Sequence, residues 1–238
     1  MSVHGTLFLI PTNLSDTFSP DASLPRDVAA IAMRLDYYIA ENAKTARTFL
    51  KALGVERPLR EISIRELTAD DDDIALADML VPLLGGYDVG LVSEAGAPGI
   101  ADPGAGIVDL AHRHGIGVMP LVGPSSILLG LMASGLNGQK FAFHGYLPKE
   151  KSARILAIRE LERESRQRDM TQIFIETPYR NQAMLADLIE TLAPTTKLCV
   201  ASDLTGHDQA IIQQPASAWR KSPHIAPAKP ALFLLLAK

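Results

Sequence analysis

The sequence predicts an α/β protein of two α/β domains, with a mainly parallel sheet in the first and a mixed sheet in the second. Three observations predict it. Apolar runs of strand length alternate with segments of helical spacing through most of the 238 residues. The first run, residues 6–11 (TLFLIP), is apolar almost throughout, as in a strand buried on both faces. Near residues 120–126 the stretch PLVGPSS interrupts the rhythm, which suggests a domain junction and divides the chain into 1–121 and 122–238.

The elements follow in order. Residues 19–25 (SPDASLP) form a polar loop, and 26–35 (RDVAAIAMRL) have helical character. Residues 36–41 (DYYIAE) are strand-like, and 42–54 (NAKTARTFLKALG) form a helix closed by glycine. A short strand is expected over 60–64 (REISI). Asp70 to Asp73 are four consecutive carboxylates that favour the start of a helix, running on through IALADMLVPLLGG, over a cation site. Strand 87–93, helix 106–115 and strand 116–122 complete the first domain. The second has helix 126–135, strand 140–147, a charged helix over 149–168, strand 171–176, helix 180–192, and strands 197–202 and 231–237. Residues 203–230 hold few helix signals, so hairpin pairing is expected there.

Composition narrows the function. A 47% hydrophobic fraction permits a sizeable core, and 5% aromatics make that core aliphatic. A net charge of −4 argues against a broadly basic nucleic-acid binder and leaves room only for a local patch. The single cysteine, Cys199 in KLCVAS, rules out an intrachain disulfide framework and fits a cytoplasmic protein. The apolar runs at both ends are too short for a signal peptide or a bilayer span, so no membrane partner is expected. His112 and His114 are two apart and suit the last turn of a helix better than a shared metal; no metal site is expected.

No G-x-G-x-x-G follows the first strand, and neither a P-loop nor a G-x-S-x-G elbow is present. What remains is a set of loops at strand ends: PTNLSD, ENAKT, EAGAPG, GPSS and TPYRN. In open α/β sheets ligands gather at the carboxyl ends of strands. The stretch 90–106 (GLVSEAGAPGIADPGAG) holds five glycines and two prolines, a shaped main-chain surface that a ligand can approach closely. GPSS opens a helix and offers Ser125 and Ser126 near its positive end. Together these loops suit a ligand that combines a carboxylate with an aromatic ring.

Taken in order, LVSEAGAPGIADPG, VGPSSILLGLMASGL, FHGYLP and FIETPYR resemble the tetrapyrrole (corrin/porphyrin) methylase superfamily, and within it the ribosomal RNA small subunit methyltransferase I branch. The resemblance runs over about 5–236 and is most specific at 91–104, 122–136 and 173–180. It implies an S-adenosylmethionine-dependent homodimeric enzyme with its cofactor in a cleft between two domains. Gly96, Ala97 and Pro98 match the superfamily's cofactor loop, and Ser125, Ser126 and Ile127 its second cofactor loop. Pro11 marks the end of strand one beside the cofactor, and Leu204, Pro230 and Ala231 match backbone that packs on the adenosine.

There are departures. The turn after strand one is the shorter TNLSD, Asn42 stands where an aspartate is expected, and Glu94 and Ala97 replace aspartate and threonine. The chain also stops near the end of the second domain, without the extra C-terminal segment common in that branch.

The implied reaction is methyl transfer to a ribose 2′-hydroxyl of 16S ribosomal RNA. The alternatives are a small-molecule, tetrapyrrole-like methylase and a cofactor-binding paralogue without catalysis. Methyl transfer to a hydroxyl benefits from positioning and from a general base. The catalytic candidates are Glu41, Glu94 and Asp102, although Glu94 could cap local amides and Asp102 could brace the turn at Pro103. Tyr179 and Arg180 could contact cofactor or substrate, or merely shape a helix start around Pro178. Lys149, Lys151, Arg154, Arg159, Arg163, Arg166 and Arg168 could meet phosphates, or interleave with Glu150, Glu160, Glu162, Glu164 and Asp169 on a solvated face.

Overall fold

A computed structural model describes residues 4–15, 17, 22–221 and 228–238. Asp16 of the TNLSD turn, residues 19–21 of the expected polar loop and 222–227 of the last gap lie outside the described residues. The chain divides into two compact units, Met1–Ser125 and Ser126–Lys238.

In the first unit, strands β1 (Thr6–Ile10), β2 (Tyr37–Ala40), β3 (Ser63–Glu66), β4 (Val89–Val92) and β5 (Gly117–Pro120) form a sheet of order β3-β2-β4-β1-β5. Every pairing is parallel. Side chains of a strand alternate between faces, so a sheet apolar on both sides needs helices on both. Phe8 and Ile10 pack with Tyr38, Phe49 and Leu50, beneath helices α1 (Arg26–Arg34) and α2 (Ala43–Ala52). Leu7 faces the other way, with Leu91, Leu80, Leu83, Ile107 and Leu110, beneath α3 (Asp73–Met79), α4 (Val81–Leu84) and α5 (Ala105–Arg113).

Two expectations need correction here. The helix running on from Asp73 is broken between Met79 and Val81, where Pro82 removes an amide donor and crowds the preceding turn. The strand expected over 60–64 is Ser63–Glu66, preceded by a 3-10 turn over Leu59–Glu61, because its register is set by pairing Tyr37 with Ser63. The four aspartates start a helix. Asp72 is its N-cap and accepts from the amides of Ile74 and Ala75.

The second unit holds α6 (Ser126–Ser134), β6 (Phe141–Tyr146), α7 (Lys151–Arg168), β7 (Thr171–Glu176), α8 (Asn181–Thr191), β8 (Lys197–Ser202), β9 (Ala210–Pro215), α9 (Ala216–Trp219) and β10 (Ala231–Leu236). The sheet order is β6-β7-β10-β8-β9. β6 and β7 are parallel, β10 is antiparallel to both β7 and β8, and β8 and β9 form the expected hairpin. Phe174 and Phe233 stack at 5.7 Å in a core that includes Ile158, Leu188 and Trp219 from the helices. Helix α6 packs on β10, β9 and β8.

Candidate functional site

Because all strands of the first sheet are parallel, the loops after β1, β2, β4 and β5 leave from one edge. That edge gathers Pro11, Glu41, Glu94, Gly96, Ala97, Pro98, Asp102 and the segment up to Ser125. Thr12 and Gly96 exchange backbone hydrogen bonds of 2.9 and 3.2 Å, joining the loop after β1 to the loop after β4. The Thr12 hydroxyl donates to Ser93 O at 3.2 Å, and the Ser93 hydroxyl lies 3.2 Å from Gly96 O. Gly96 has φ +80°, a left-handed backbone that favours glycine, and an added Cβ would stand 3.1 Å from Leu14 Cδ2. Gly123 passes so close to Pro11 that a Cβ there would lie 2.4 Å from the proline ring. The glycines thus bring three loop backbones together.

Two of the three carboxylate candidates hold this surface in place. Asp102 Oδ1 accepts from the amides of Gly99 at 2.6 Å and Gly104 at 3.2 Å. It ties a loop in which Ala101 is left-handed at φ +66°. Burial raises the Asp102 carboxyl above the usual carboxylate range, opposed by bonds from Gly104, Gly99 and Ser93. Glu41, at the end of β2, reaches across to β4, where its Oε2 accepts from the Glu94 amide at 3.0 Å. Burial raises its pKa; the Glu94 amide opposes this, and the charges of Asp102 and Glu94 add to it. The Glu94 side chain is exposed. Asn42 serves as the N-cap of α2, accepting from Lys44 and Thr45. Asparagine caps as well as the aspartate expected there, with one less negative charge.

The second unit builds its own edge. β10 runs antiparallel to both β7 and β8, and Ala231 pairs with Glu176 and with Ser202. The ends of β7 and β8 and the start of β10 therefore lie side by side, which brings together Tyr179, Leu204, Pro230 and Ala231. Leu204 and Ala231 are buried and Pro230 is exposed. Leu204 lines an apolar hollow of about 310 Å³ with Leu129, Met132, Ala133, Thr205 and Ile211. Its loop is left-handed at Asp203 and Thr205 and is closed by Asp203, whose carboxylate accepts from Asp208 N at 3.0 Å. Ser126 begins α6, so Ser126 and Ile127 carry first-turn amides with no intrahelical acceptor, and Ser125 directly precedes them.

Sequence reasoning passed over Thr12, Ser93, Asp203 and Asn181. Their shared signal is a short polar residue just past a strand end or at a helix start. Arg154 fits neither reading of its helix: it faces solvent neither for phosphates nor on a salt-bridged outer face. It is buried, with Nε 2.7 Å from Asp187 Oδ2 and Nη1 2.7 Å from Lys149 O. Lys151 also leans on Asp187 at 3.6 Å, and Arg163 pairs with Glu160. Among the described residues no group of three or more metal-ligating side chains converges.

The fold has solved counterparts. It matches the crystal structure of the methyltransferase CobJ with a TM-score of 0.62 at 18% identity, over 99% of this chain and 95% of the other. A uroporphyrin-III-C-methyltransferase from Thermus thermophilus matches at 0.55 and 15% identity, over 98% and 94%. The architecture is that of the tetrapyrrole methylases. By sequence, the chain is 34% identical to the ribosomal RNA small subunit methyltransferase I of Xylella fastidiosa over 86% of its own length and 70% of the relative's. The Neisseria meningitidis protein of that name (serogroup B) is 30% identical over 85% and 65%, and the Pseudomonas aeruginosa one 31% over 89% and 70%. The chain belongs to the ribosomal RNA small subunit methyltransferase I family, and it is a methyltransferase. No protein-family model matches it.

Proposed function

We propose that the protein transfers a methyl group from S-adenosylmethionine to a ribose 2′-hydroxyl of small-subunit ribosomal RNA in the cytoplasm, as a homodimer. The observation that carries the reading is the stitched Thr12–Gly96 pair at the strand-end loop of Gly96, Ala97 and Pro98, in a chain that belongs to this family. The relatives' names supply the RNA. The tetrapyrrole methylases share only the fold, so a small-molecule acceptor ranks second. The exposed Met119 and Val122, on and just after edge strand β5, support an apolar contact with a second copy.

The residues suit the cofactor. The backbone of Gly96, Ala97 and Pro98, with Pro11 beside it, offers main chain to its amino-acid end. The positive start of α6 at Ser125, Ser126 and Ile127 suits a carboxylate. Leu204, Pro230 and Ala231, with the apolar hollow beside Leu204, suit the adenosine. When bound, the cofactor supplies a methyl group on a sulfonium, which leaves as a neutral thioether. The acceptor hydroxyl loses its proton as its oxygen–carbon bond forms, and the Glu94 carboxylate takes that proton. Glu94 is free to do so because its side chain is exposed, whereas its own amide is pinned by Glu41. Glu41 and Asp102 act as positioning residues.

The test is tritium transfer from labelled S-adenosylmethionine into small-subunit rRNA from cells lacking the gene, with calorimetry of cofactor binding alongside. Label in the rRNA is expected. Glu94→Gln should lower kcat by about 10²–10⁴-fold with cofactor affinity unchanged. Cofactor binding without label in any RNA refutes the proposed acceptor.

A further inference from the structure

Resting on the RNA reading above, we propose that Tyr179 is a stacking platform for an unpaired nucleobase of the RNA substrate and takes no part in cofactor binding. Tyr179 is 79% exposed, an uncommon position for a large aromatic ring in a chain with only 5% aromatics.

The turn that carries it is held on several sides. Glu176, whose side chain is fully buried, accepts at Oε1 from the amide of Thr177 at 2.8 Å and from its hydroxyl at 3.2 Å. Its Oε2 pairs with Arg180 Nη2 at 3.0 Å. The same guanidinium nitrogen donates to Leu147 O and Pro148 O, each at 3.2 Å. The amides of Arg180 and Asn181 both donate to Thr177 O, and Asn181 Nδ2 donates to Lys229 O at 2.8 Å. A buried ion pair of this kind is costly to desolvate and contributes little net stability. Here it fixes one four-residue turn whose aromatic side chain points into solvent.

The neighbouring loop is fixed too. Arg154, neutralised by buried Asp187, donates to Lys149 O, so the two guanidinium groups grip three successive carbonyls at 147–149. Lys149 is exposed. β6 and β7 are parallel, so both loops leave the same sheet edge as Leu204 and Ala231. A rigid, outward aromatic with a cation on the adjoining loop is what a single-stranded base and its phosphate need. Stacking is sequence-tolerant and gains from a platform that does not have to be ordered on binding.

The experiment compares wild type with Tyr179→Ala, Tyr179→Phe and Tyr179→Trp. It uses the tritium assay on small-subunit rRNA, calorimetry with S-adenosylmethionine, sedimentation and a thermal midpoint for each. Tyr179→Ala should raise KM for the RNA about ten-fold or more, with Phe and Trp near wild type. Cofactor affinity, oligomeric state and thermal midpoint should not move. An unchanged RNA KM in Tyr179→Ala overturns the inference. So does a parallel loss of cofactor affinity, which makes Tyr179 a cofactor contact, or a loss of the dimer, which makes it a subunit contact. Failure of Tyr179→Phe alongside Ala assigns the effect to the hydroxyl and likewise overturns stacking. If wild type itself labels no RNA while binding cofactor, the RNA reading fails, and this inference with it.

Discussion

At Glu41 the chain places a half-buried carboxylate against a backbone amide and close to two other acids. Burial is the largest influence and raises its pKa. The folded state therefore binds the Glu41 proton more tightly than the unfolded chain does. The stability this adds is fully present below the ordinary carboxylate range and is lost as pH rises through the raised value. Glutamine keeps an oxygen for the Glu94 amide and does not titrate. Glu41→Gln should therefore gain thermal midpoint over wild type as the pH goes from about 4 to 7, and converge with it at the acid end. Scanning calorimetry at several pH values checks this, and a constant offset across that range would exclude the linkage. The same residue shows what the sequence could and could not reveal. Glycines, prolines and three carboxylates at strand ends marked the region. The bracing role of Asp102 is local, through Gly99 and Gly104, and was readable beside Pro103, whereas that of Glu41 depends on one hydrogen bond to Glu94 across 53 residues of sequence, which no local pattern encodes.

Elements were legible where periodicity and breakers agree. β7 and β8 occupy the expected ranges 171–176 and 197–202, because the apolar centre of each is buried in the helix-covered core and has no reason to slip. β3 is mostly exposed and takes its register from its neighbour, so its position is not legible in its own residues. Helix α7 departs from its sequence pattern in a different way. Its charges look like a solvated face, yet Arg154 turns inward to Asp187 of α8, and the two side chains are 7% and 4% exposed. Only packing of α7 on α8 creates that pair. Removing one partner leaves a buried charge, so Arg154→Met should cost about 3–5 kcal/mol, less whatever Lys151 recovers by moving toward Asp187. The double variant Arg154→Met/Asp187→Leu should regain most of that loss, since apolar side chains of similar volume commonly replace a buried pair. Urea unfolding read from fluorescence measures both. A double variant as unstable as the single one would mean that the pair itself, through its carbonyl contacts at 148 and 149, holds the helices in register.

On the scale of the molecule, the apolar clusters sort by unit. Two are built from residues of Met1–Ser125 and the third from residues of Ser126–Lys238. The chain passes from one unit to the other at Ser125–Ser126, within the stretch PLVGPSS that follows β5 into α6. The chain also has a single tryptophan, Trp219, buried in the second unit with its indole N–H donating to Leu198 O at 3.0 Å. Its fluorescence reports the second core alone, while far-UV circular dichroism reports both. Phe49 lies in the first unit at 7% exposure, and truncating it leaves a cavity costing about 3–5 kcal/mol. Separate cores give separate cooperative units, for which a single unfolding free energy is not defined. Phe49→Ala should therefore move the early part of the dichroism transition to lower urea and leave the Trp219 midpoint where it is. A Trp219 midpoint that falls in step with the dichroism would instead mean that the two cores unfold as one. Stability lost anywhere in the chain would then reach both sets of cofactor residues.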